Sequence, residues 1–124
     1  MVKGILLYGH GARNPEWAQP FDRIREAIKR REPQALVEPG FLELMRPTFD
    51  EGIACLVEQG AIGIIVVPIF MAGGSHVKKD LPRLAANAMD RHEGLVIELA
   101  APVGEAESVL TAMADYAIRA QLGE

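Results

Sequence analysis

The sequence predicts an α/β fold, a three-layer sandwich in which a four-stranded parallel sheet is covered by helices on both faces. Short apolar runs alternate along the chain with segments whose apolar residues repeat at helical spacing, in the order βαβαβαβα. The third run, residues 62–70, is almost continuously apolar and branched, which is typical of a strand buried on both faces. A length of 124 residues fits one domain, so residues 1–124 are expected to form a single α/β unit.

The apolar runs place the predicted strands at residues 4–8, 36–44, 62–70 and 95–100. The second contains Pro39 near its middle, and proline cannot donate a backbone hydrogen bond to a neighbouring strand, so this strand is predicted at an edge of the sheet. Right-handed crossovers then favour the order 2-1-3-4, with the first and third strands at the centre. Pro68 fits the third strand only at its end or on a bulge.

Helical patterns fill the segments between the strands. Asn14 is the expected N-cap of the first helix. A capping box formed by Thr48 and Glu51 begins the second helix, which Gly60 ends. Asp80 is expected to cap the third helix. The apolar stripes of the first and fourth helices are predicted to be Trp17, Phe21, Ile24 and Ile28, and Val109, Met113, Tyr116 and Ala120.

The composition argues against several classes of function. A formal net charge of −4 disfavours nucleic acid as a partner, because there is no basic excess to displace counterions. No segment reaches the roughly 20 apolar residues that cross a bilayer, and the N-terminus lacks a signal-peptide layout. We therefore expect a cytoplasmic protein with no membrane partner. Cys55 is the only cysteine, which excludes an intrachain disulfide and a thiolate metal cluster.

Chemically active side chains follow three of the predicted strands. In open α/β sheets, ligands bind beyond the carboxyl ends of the strands, where crossovers leave in opposite directions. His10 follows the first strand, Glu43 ends the second and His76 comes after the third. Adjacent strands are about 4.8 Å apart, so these three side chains can converge. Two imidazoles and a carboxylate form a suitable site for Co²⁺, Ni²⁺, Fe²⁺ or Zn²⁺.

Two pairs of glycines flank these histidines. Gly9 and Gly11 are expected to let the backbone turn sharply at His10, and Gly73 and Gly74 to let a bulky ligand approach the loop before the second histidine.

Alternative interpretations of these residues remain open. A loop histidine is often only a surface residue, and Glu43 can instead be a structural carboxylate bound to a helix N-terminus. His92 resembles an exposed helix end, and no function is assigned to it.

Three segments together resemble the class II tetrapyrrole chelatases, and among them the short, single-domain sirohydrochlorin cobaltochelatases. They are LYGHGAR at residues 7–13, FLELMRP at residues 41–47 and VPIFMAGGSHVKKDLP at residues 67–82. The resemblance runs from residue 4 to about residue 104. Ala12 departs from it, because relatives commonly carry serine there, and a hydroxyl contact with the substrate is thereby placed in doubt.

The resemblance implies an enzyme that inserts a divalent metal ion, with cobalt first and nickel or iron as alternatives, into sirohydrochlorin. The metal is a substrate, and no permanently bound cofactor is expected. In that family two histidines bind the incoming metal, which corresponds to His10 and His76, and Glu43 matches an assisting acidic residue. Long members contain two such domains in tandem, so this shorter chain is expected to form a homodimer.

Residues near these motifs are predicted to hold the tetrapyrrole. Met45, Phe70 and Met71 are expected to cover the macrocycle, and basic side chains to meet its carboxylates. The basic candidates are Arg13, Arg46, Lys78 and Lys79, and the backbone of Gly73, Gly74 and Ser75 completes the predicted substrate site. The apolar residues around Met45, Phe49, Phe70 and Met71 are expected at the contact between the subunits.

Metal insertion needs both a metal donor and a proton acceptor, because two pyrrole protons leave the macrocycle. We expect His10 and His76 to hold the ion, and either Glu43 or a histidine released from the metal to accept the protons. A two-histidine site with open positions suits metal transfer. A non-catalytic metal or tetrapyrrole carrier on the same scaffold is the main alternative. A flavodoxin-like nucleotide-binding domain is disfavoured, because the loop after the first strand lacks a phosphate cradle.

Overall fold

The computed structural model describes residues 3–124, except for the side chains of residues 75–78. Its strands are β1 (Lys3–Gly9), β2 (Leu36–Phe41), β3 (Gly63–Pro68) and β4 (Val96–Leu99). All neighbouring strands are parallel and their order is β2-β1-β3-β4, so the predicted fold class and strand order are confirmed. The helices are α1 (Gln19–Arg31), α2 (Phe49–Glu58), α3 (Ser75–Arg91) and α4 (Glu107–Gln121), and short 3-10 turns cover Pro15–Ala18 and Val103–Glu105. Over the residues that can be described, no helix is both long and apolar enough to cross a membrane.

The sheet buries a different set of side chains on each face, because successive residues of a strand point to opposite sides. On the α2/α3 face, Leu6, Ile64 and Val66 are fully buried against the two helices. On the α1 face, Leu7 and Val37 pack against α1 through Phe21. The helices therefore form the two outer layers of the sandwich.

The two strand prolines lie where their chemistry allows them. Pro39 is on β2, the edge strand, and Pro68 is the last residue of β3, so both predictions are confirmed. The second strand is shorter than predicted: it ends at Phe41 rather than at residue 44. The backbone N–H of Phe41 donates to the Pro47 carbonyl, and Leu44 has a φ of 69°. The chain after Phe41 is a loop that folds back on itself, which an apolar run alone does not reveal.

Helix α3 begins five residues before the predicted cap. Gly74 is its N-cap, so the expectation that Asp80 caps this helix is wrong. Pro82 lies inside the helix, although proline in a helix interior removes a hydrogen bond. Proline is also common in a first helical turn, which explains the error. Buried Leu81 and Ala85 hold this part of α3 against the sheet. His76 therefore belongs to the first turn of α3 and not to a loop.

The apolar stripe of α1 packs into the core at Phe21, Ile24 and Ile28 as predicted, but not at Trp17, and the stripe of α4 is mostly exposed. Trp17 lies in the 3-10 turn before α1 and is 57% exposed. Helix α4 has no buried residue, and Met113 and Tyr116 are 43% and 77% exposed. The capping box of Thr48 and Glu51 at the start of α2 is present as predicted.

Candidate functional site

Backbone hydrogen bonds join the loops that follow β1 and β2. The N–H of Leu42 donates to the Gly9 carbonyl over 3.0 Å, and the N–H of Glu43 donates to the His10 carbonyl over 3.1 Å. These bonds continue the β1–β2 pairing beyond the last residues of both strands. Residues 10 and 43 therefore lie side by side at the carboxyl edge of the sheet.

The His10 and Glu43 side chains meet in front of this edge. The distance from Nε2 of His10 to Oε1 of Glu43 is 3.3 Å, and the side chains are 52% and 55% exposed. Two ligands of one ion, each about 2.1 Å from it at a tetrahedral angle, would be about 3.4 Å apart. The pair therefore has the spacing of two ligands of a single metal ion and remains open to solvent.

Glycine is required at position 11 to hold the two loops together. Gly11 has a φ of 98°, and a Cβ atom there would overlap the carbonyl oxygen of Glu43. The sharp turn predicted after His10 is present at this residue. Gly9 meets a different need, because a Cβ atom would lie 2.5 Å from the Phe21 ring. Its contribution is close packing of β1 against α1.

His76, the second predicted metal ligand, has a side chain outside the described residues, as do Ser75 and Lys78. The backbone places His76 in the first turn of α3, which follows the carboxyl end of β3. Among the side chains that are described, no group of three or more histidine, cysteine or acidic residues is arranged to hold a metal. The described part of the candidate metal site is therefore the pair of His10 and Glu43.

Tyr8 lies beneath the site, in the core of the sheet. It is 1% exposed, and its ring contacts Phe49 and Phe70 edge-to-face with centroid distances of 5.8 Å. Burial, together with the negative charges of Asp80 and Glu43, raises the pKa of Tyr8 to about 12. The phenol is therefore neutral at ordinary pH.

An apolar pocket opens beside His10. Its volume is about 230 Å³, and it is lined by His10, Trp17, Pro20, Phe21, Ile69 and Phe70. Sequence reasoning missed Trp17 as a residue of this site, because its spacing fits the apolar stripe of α1. Pro20 is the signal that would have found it: proline favours a first helical turn, and Pro20 marks the start of α1 after Trp17. His10 therefore lies at the border of a surface made of aromatic and aliphatic side chains.

Arg46 is already engaged by a carboxylate. Its guanidinium makes two hydrogen bonds with Glu51, from Nε to Oε1 over 3.1 Å and from Nη2 to Oε2. The hydrogen bonds and the adjacent opposite charge raise the pKa of Arg46, and the bond from Arg46 is the main cause that lowers the pKa of Glu51 to about 2. Arg46 would have to leave Glu51 to meet a substrate carboxylate. Arg13 and Lys79 are exposed.

The other predicted substrate residues differ in exposure. Met71 is 61% exposed, whereas Met45 and Phe70 are partly buried. Gly74 has open space around its Cα, and Gly73 lies near Pro102. Phe49 is 2% exposed and packs inside the subunit against Tyr8, so the expectation that it lies at a subunit contact is wrong. Its position as the first residue of α2 hid this burial from sequence reasoning.

Residues 4–120 of the chain match the model of the CbiX family. The chain is 35% identical over 117 residues to the sirohydrochlorin cobaltochelatase of Sulfolobus acidocaldarius, covering 94% of this chain and 91% of that protein. It is 38% identical over 92 residues to the protein of the same name from Methanocaldococcus jannaschii, covering 74% of this chain and 64% of that protein. This chain therefore spans less than two thirds of that relative.

Solved structures show the same fold. A CbiX protein from Marinobacter aquaeolei aligns with a TM-score of 0.84 at 27% identity, over 98% of this chain and 99% of that chain. The sirohydrochlorin chelatase SirB from Bacillus subtilis subspecies spizizenii, solved in complex with cobalt, aligns with a TM-score of 0.77 at 35% identity. The alignment covers 90% of this chain and 48% of SirB, so the chain corresponds to about half of that molecule.

Proposed function

The chain belongs to the CbiX family, and on that premise we propose that it inserts a divalent metal ion into a sirohydrochlorin-type tetrapyrrole. Cobalt is the first candidate, with nickel or iron as alternatives. One observation carries the proposal: the imidazole of His10 and the carboxylate of Glu43, 3.3 Å apart and half exposed, adjoin an apolar pocket at the carboxyl edge of the sheet. The names of the archaeal relatives, sirohydrochlorin cobaltochelatase, support the same reaction.

In this proposal the histidines hold the ion before transfer. His10 supplies one imidazole nitrogen and His76 the second, which leaves open positions for the pyrrole nitrogens. Insertion forms bonds from the metal to the macrocycle and releases two protons from the pyrrole N–H groups. Glu43 contacts His10, so we assign proton acceptance to Glu43 or to the imidazole that the metal has left.

The pocket beside His10 is the proposed binding site of the macrocycle. Trp17 and Phe70 line it, and Met71 is exposed near it, so a flat apolar ring would replace water on these side chains. Met45 and the backbone of residues 73–75 complete the proposed contacts. Arg13, Lys78 and Lys79 are proposed to meet the carboxylates of the substrate, and Arg46 joins them if it exchanges its bonds with Glu51.

We also propose that the working enzyme is a homodimer. A pocket of about 230 Å³ is smaller than the 300–1,000 Å³ or so of typical ligand sites, and a tetrapyrrole is a large ligand. The chain corresponds to 48% of SirB, so two copies would match the size of that chelatase. A second subunit would enlarge the cavity by adding its own edge.

Multiple-turnover insertion tests the proposal. Purified protein is supplied with excess sirohydrochlorin and with Co²⁺, Ni²⁺ or Fe²⁺ in separate reactions, and the absorbance change of the macrocycle is followed. We expect many equivalents of metallated product per chain and a rate above the uncatalysed reaction for at least one metal. Stoichiometric binding of metal or tetrapyrrole without turnover would contradict the enzyme and would favour a carrier on the same scaffold.

A further inference from the structure

A second pocket lies next to the pocket beside His10. Its volume is about 290 Å³, and it is formed by the start of α1 and the turn before it, so we call it the α1 pocket. Trp17 and Pro20 line both pockets, which makes these two side chains the border between them. The other residues that line the α1 pocket are Asn14, Glu16, Gln19 and Arg23.

The two pockets differ in chemistry. Apart from its histidine, the pocket beside His10 is lined by apolar side chains, whereas the α1 pocket has polar and charged side chains around its apolar border. Gln19 and Arg23 are four residues apart in α1 and therefore lie on the same side of the helix. The side-chain oxygen of Asn14 accepts a hydrogen bond from the Glu16 N–H over 3.0 Å, which leaves the NH2 group of Asn14 to donate. Three side chains around the α1 pocket can therefore donate hydrogen bonds to a ligand.

The guanidinium of Arg23 is not held by a carboxylate of its own chain. Within the described part of the chain, Arg23 makes no ion pair. Arg25, two residues later, lies 3.6 Å from Glu38, and Arg46 is bound by Glu51. Arg23 can therefore bind a carboxylate of a ligand without first leaving a partner, which Arg46 cannot do.

A macrocycle bound beside His10 would extend over the border between the two pockets. A pocket of about 230 Å³ is too small to enclose a whole tetrapyrrole, so the rim of the ring extends past Trp17. The carboxylates of the substrate are attached to that rim. Because the formal net charge of the chain is −4, the overall field does not attract a polyanion, and each carboxylate depends on a local basic group. Arg23 is the basic residue beyond this border.

We propose that the α1 pocket binds one rim carboxylate of the tetrapyrrole, with Arg23 as its ionic partner and with Gln19 and Asn14 as further hydrogen-bond donors. This inference rests on the proposed function, since it assigns a contact to the same substrate. A guanidinium can bind a carboxylate through two parallel hydrogen bonds, so Arg23 selects macrocycles that carry a carboxylate at this edge. Glu16 lines the same pocket, and its negative charge opposes the bound carboxylate. The two charged residues therefore act on affinity in opposite directions.

Titration with metal-free sirohydrochlorin tests this contact without any turnover. Trp17 is the only tryptophan of the chain and borders both pockets, so a bound macrocycle should quench its fluorescence. We expect Arg23→Gln to raise the Kd about two- to fivefold, the range of an exposed ion pair, and Arg23→Lys to recover part of the loss. Arg30→Gln removes the same charge from the same side of α1, about 10 Å further along the helix, and should leave the Kd unchanged.

Glu16→Gln supplies the change of opposite sign. It should lower the Kd for sirohydrochlorin, and the effects of Glu16→Gln and Arg23→Gln should both shrink in 1 M salt, where the Debye length is about 3 Å. Equal Kd values for Arg23→Gln and Arg30→Gln, or a Glu16→Gln variant that binds more weakly, would overturn the contact. If the wild type also inserts metal, that result leaves the proposed function intact. A wild type that shows these Kd changes but no turnover would instead contradict metal insertion, and a wild type that does not bind sirohydrochlorin would overturn both.

Discussion

Nε2 of His10 lies 3.3 Å from Oε1 of Glu43, although the two residues follow different strands of the sheet. The backbone bond from Glu43 N–H to the His10 carbonyl fixes this approach, and Gly11 leaves the room for it. The pair therefore depends on the loop backbone as much as on the side chains. A change in either loop should affect the chemistry at the edge.

Glu43→Gln should lower the turnover number for metal insertion. The amide keeps the size of the side chain but removes its negative charge and its ability to accept a proton, and general acid–base groups typically contribute 10²-fold or more. We expect a loss of roughly 10²-fold in kcat with a much smaller change in KM for the tetrapyrrole. Glu58→Gln, an exposed carboxylate at the end of α2, is the control and should leave kcat unchanged. Equal rates for the two variants would remove Glu43 from the mechanism.

Gly11→Ala should destabilise the fold more than Gly60→Ala. Both glycines have a positive φ, which costs an alanine about 1–2 kcal/mol. Only at Gly11 would the new Cβ atom also overlap the Glu43 carbonyl, whereas nothing lies within 4 Å of the Cβ position at Gly60. Urea unfolding measures the two free energies of unfolding. The expected order is wild type above Gly60→Ala above Gly11→Ala, and equal losses would mean that the loops are not packed as described.

Trp17→Ala should weaken tetrapyrrole binding without affecting metal use. Trp17 lines the pocket beside His10, and an aromatic contact of this kind contributes about 0.5–1.5 kcal/mol. We expect KM for the tetrapyrrole to rise about two- to tenfold. The KM for the metal should stay constant, and Trp17→Phe should recover most of the loss. A rise in the metal KM alone would show that Trp17 acts on the His10 site and not on the macrocycle.

Glu51→Gln should change how stability depends on pH. The folded pKa of Glu51 is lowered from 4.5 to about 2, chiefly by the hydrogen bond from Arg46. A lowered folded pKa gives stability that is present above the unfolded pKa and is lost as pH falls through the folded value. The difference in Tm between wild type and Glu51→Gln should therefore be constant above about pH 5 and shrink from pH 4.5 towards 2. A difference that does not depend on pH would contradict the ion pair.

The parts of the fold that were predicted correctly depend on short-range chemistry. Pro39 identified the edge strand, and Thr48 with Glu51 identified the start of α2, because each effect acts within a few residues. The predicted start of α3 at Asp80 was wrong, because the helix begins at Ser75 and continues through Pro82. Burial of Leu81 and Ala85 stabilises the helix there by more than the hydrogen bond that proline removes. A local sequence pattern does not show tertiary packing of this kind.

Part of the candidate site could also be predicted from the sequence. The proximity of His10 and Glu43 could be predicted from the strand order alone, because the carboxyl ends of parallel strands lie at the same edge of the sheet. Trp17 was assigned to the core by its spacing, and only the break between the 3-10 turn and α1 exposes it beside His10. The pairing of Arg46 with Glu51 was also missed, since it depends on a loop that folds back after Phe41.

The rate of Co²⁺ insertion by His10→Ala, compared with His92→Ala, tests the central claim most directly. His92 caps the end of α3 and precedes β4, so it lies at the opposite edge of the sheet from His10. Even changes next to a metal ligand commonly cost 10- to 100-fold, so loss of His10 itself should lower the rate by about 100-fold or more, with an unchanged Tm. His92→Ala should retain the wild-type rate. A folded His10→Ala protein that inserts cobalt at the wild-type rate would contradict metal handling by His10.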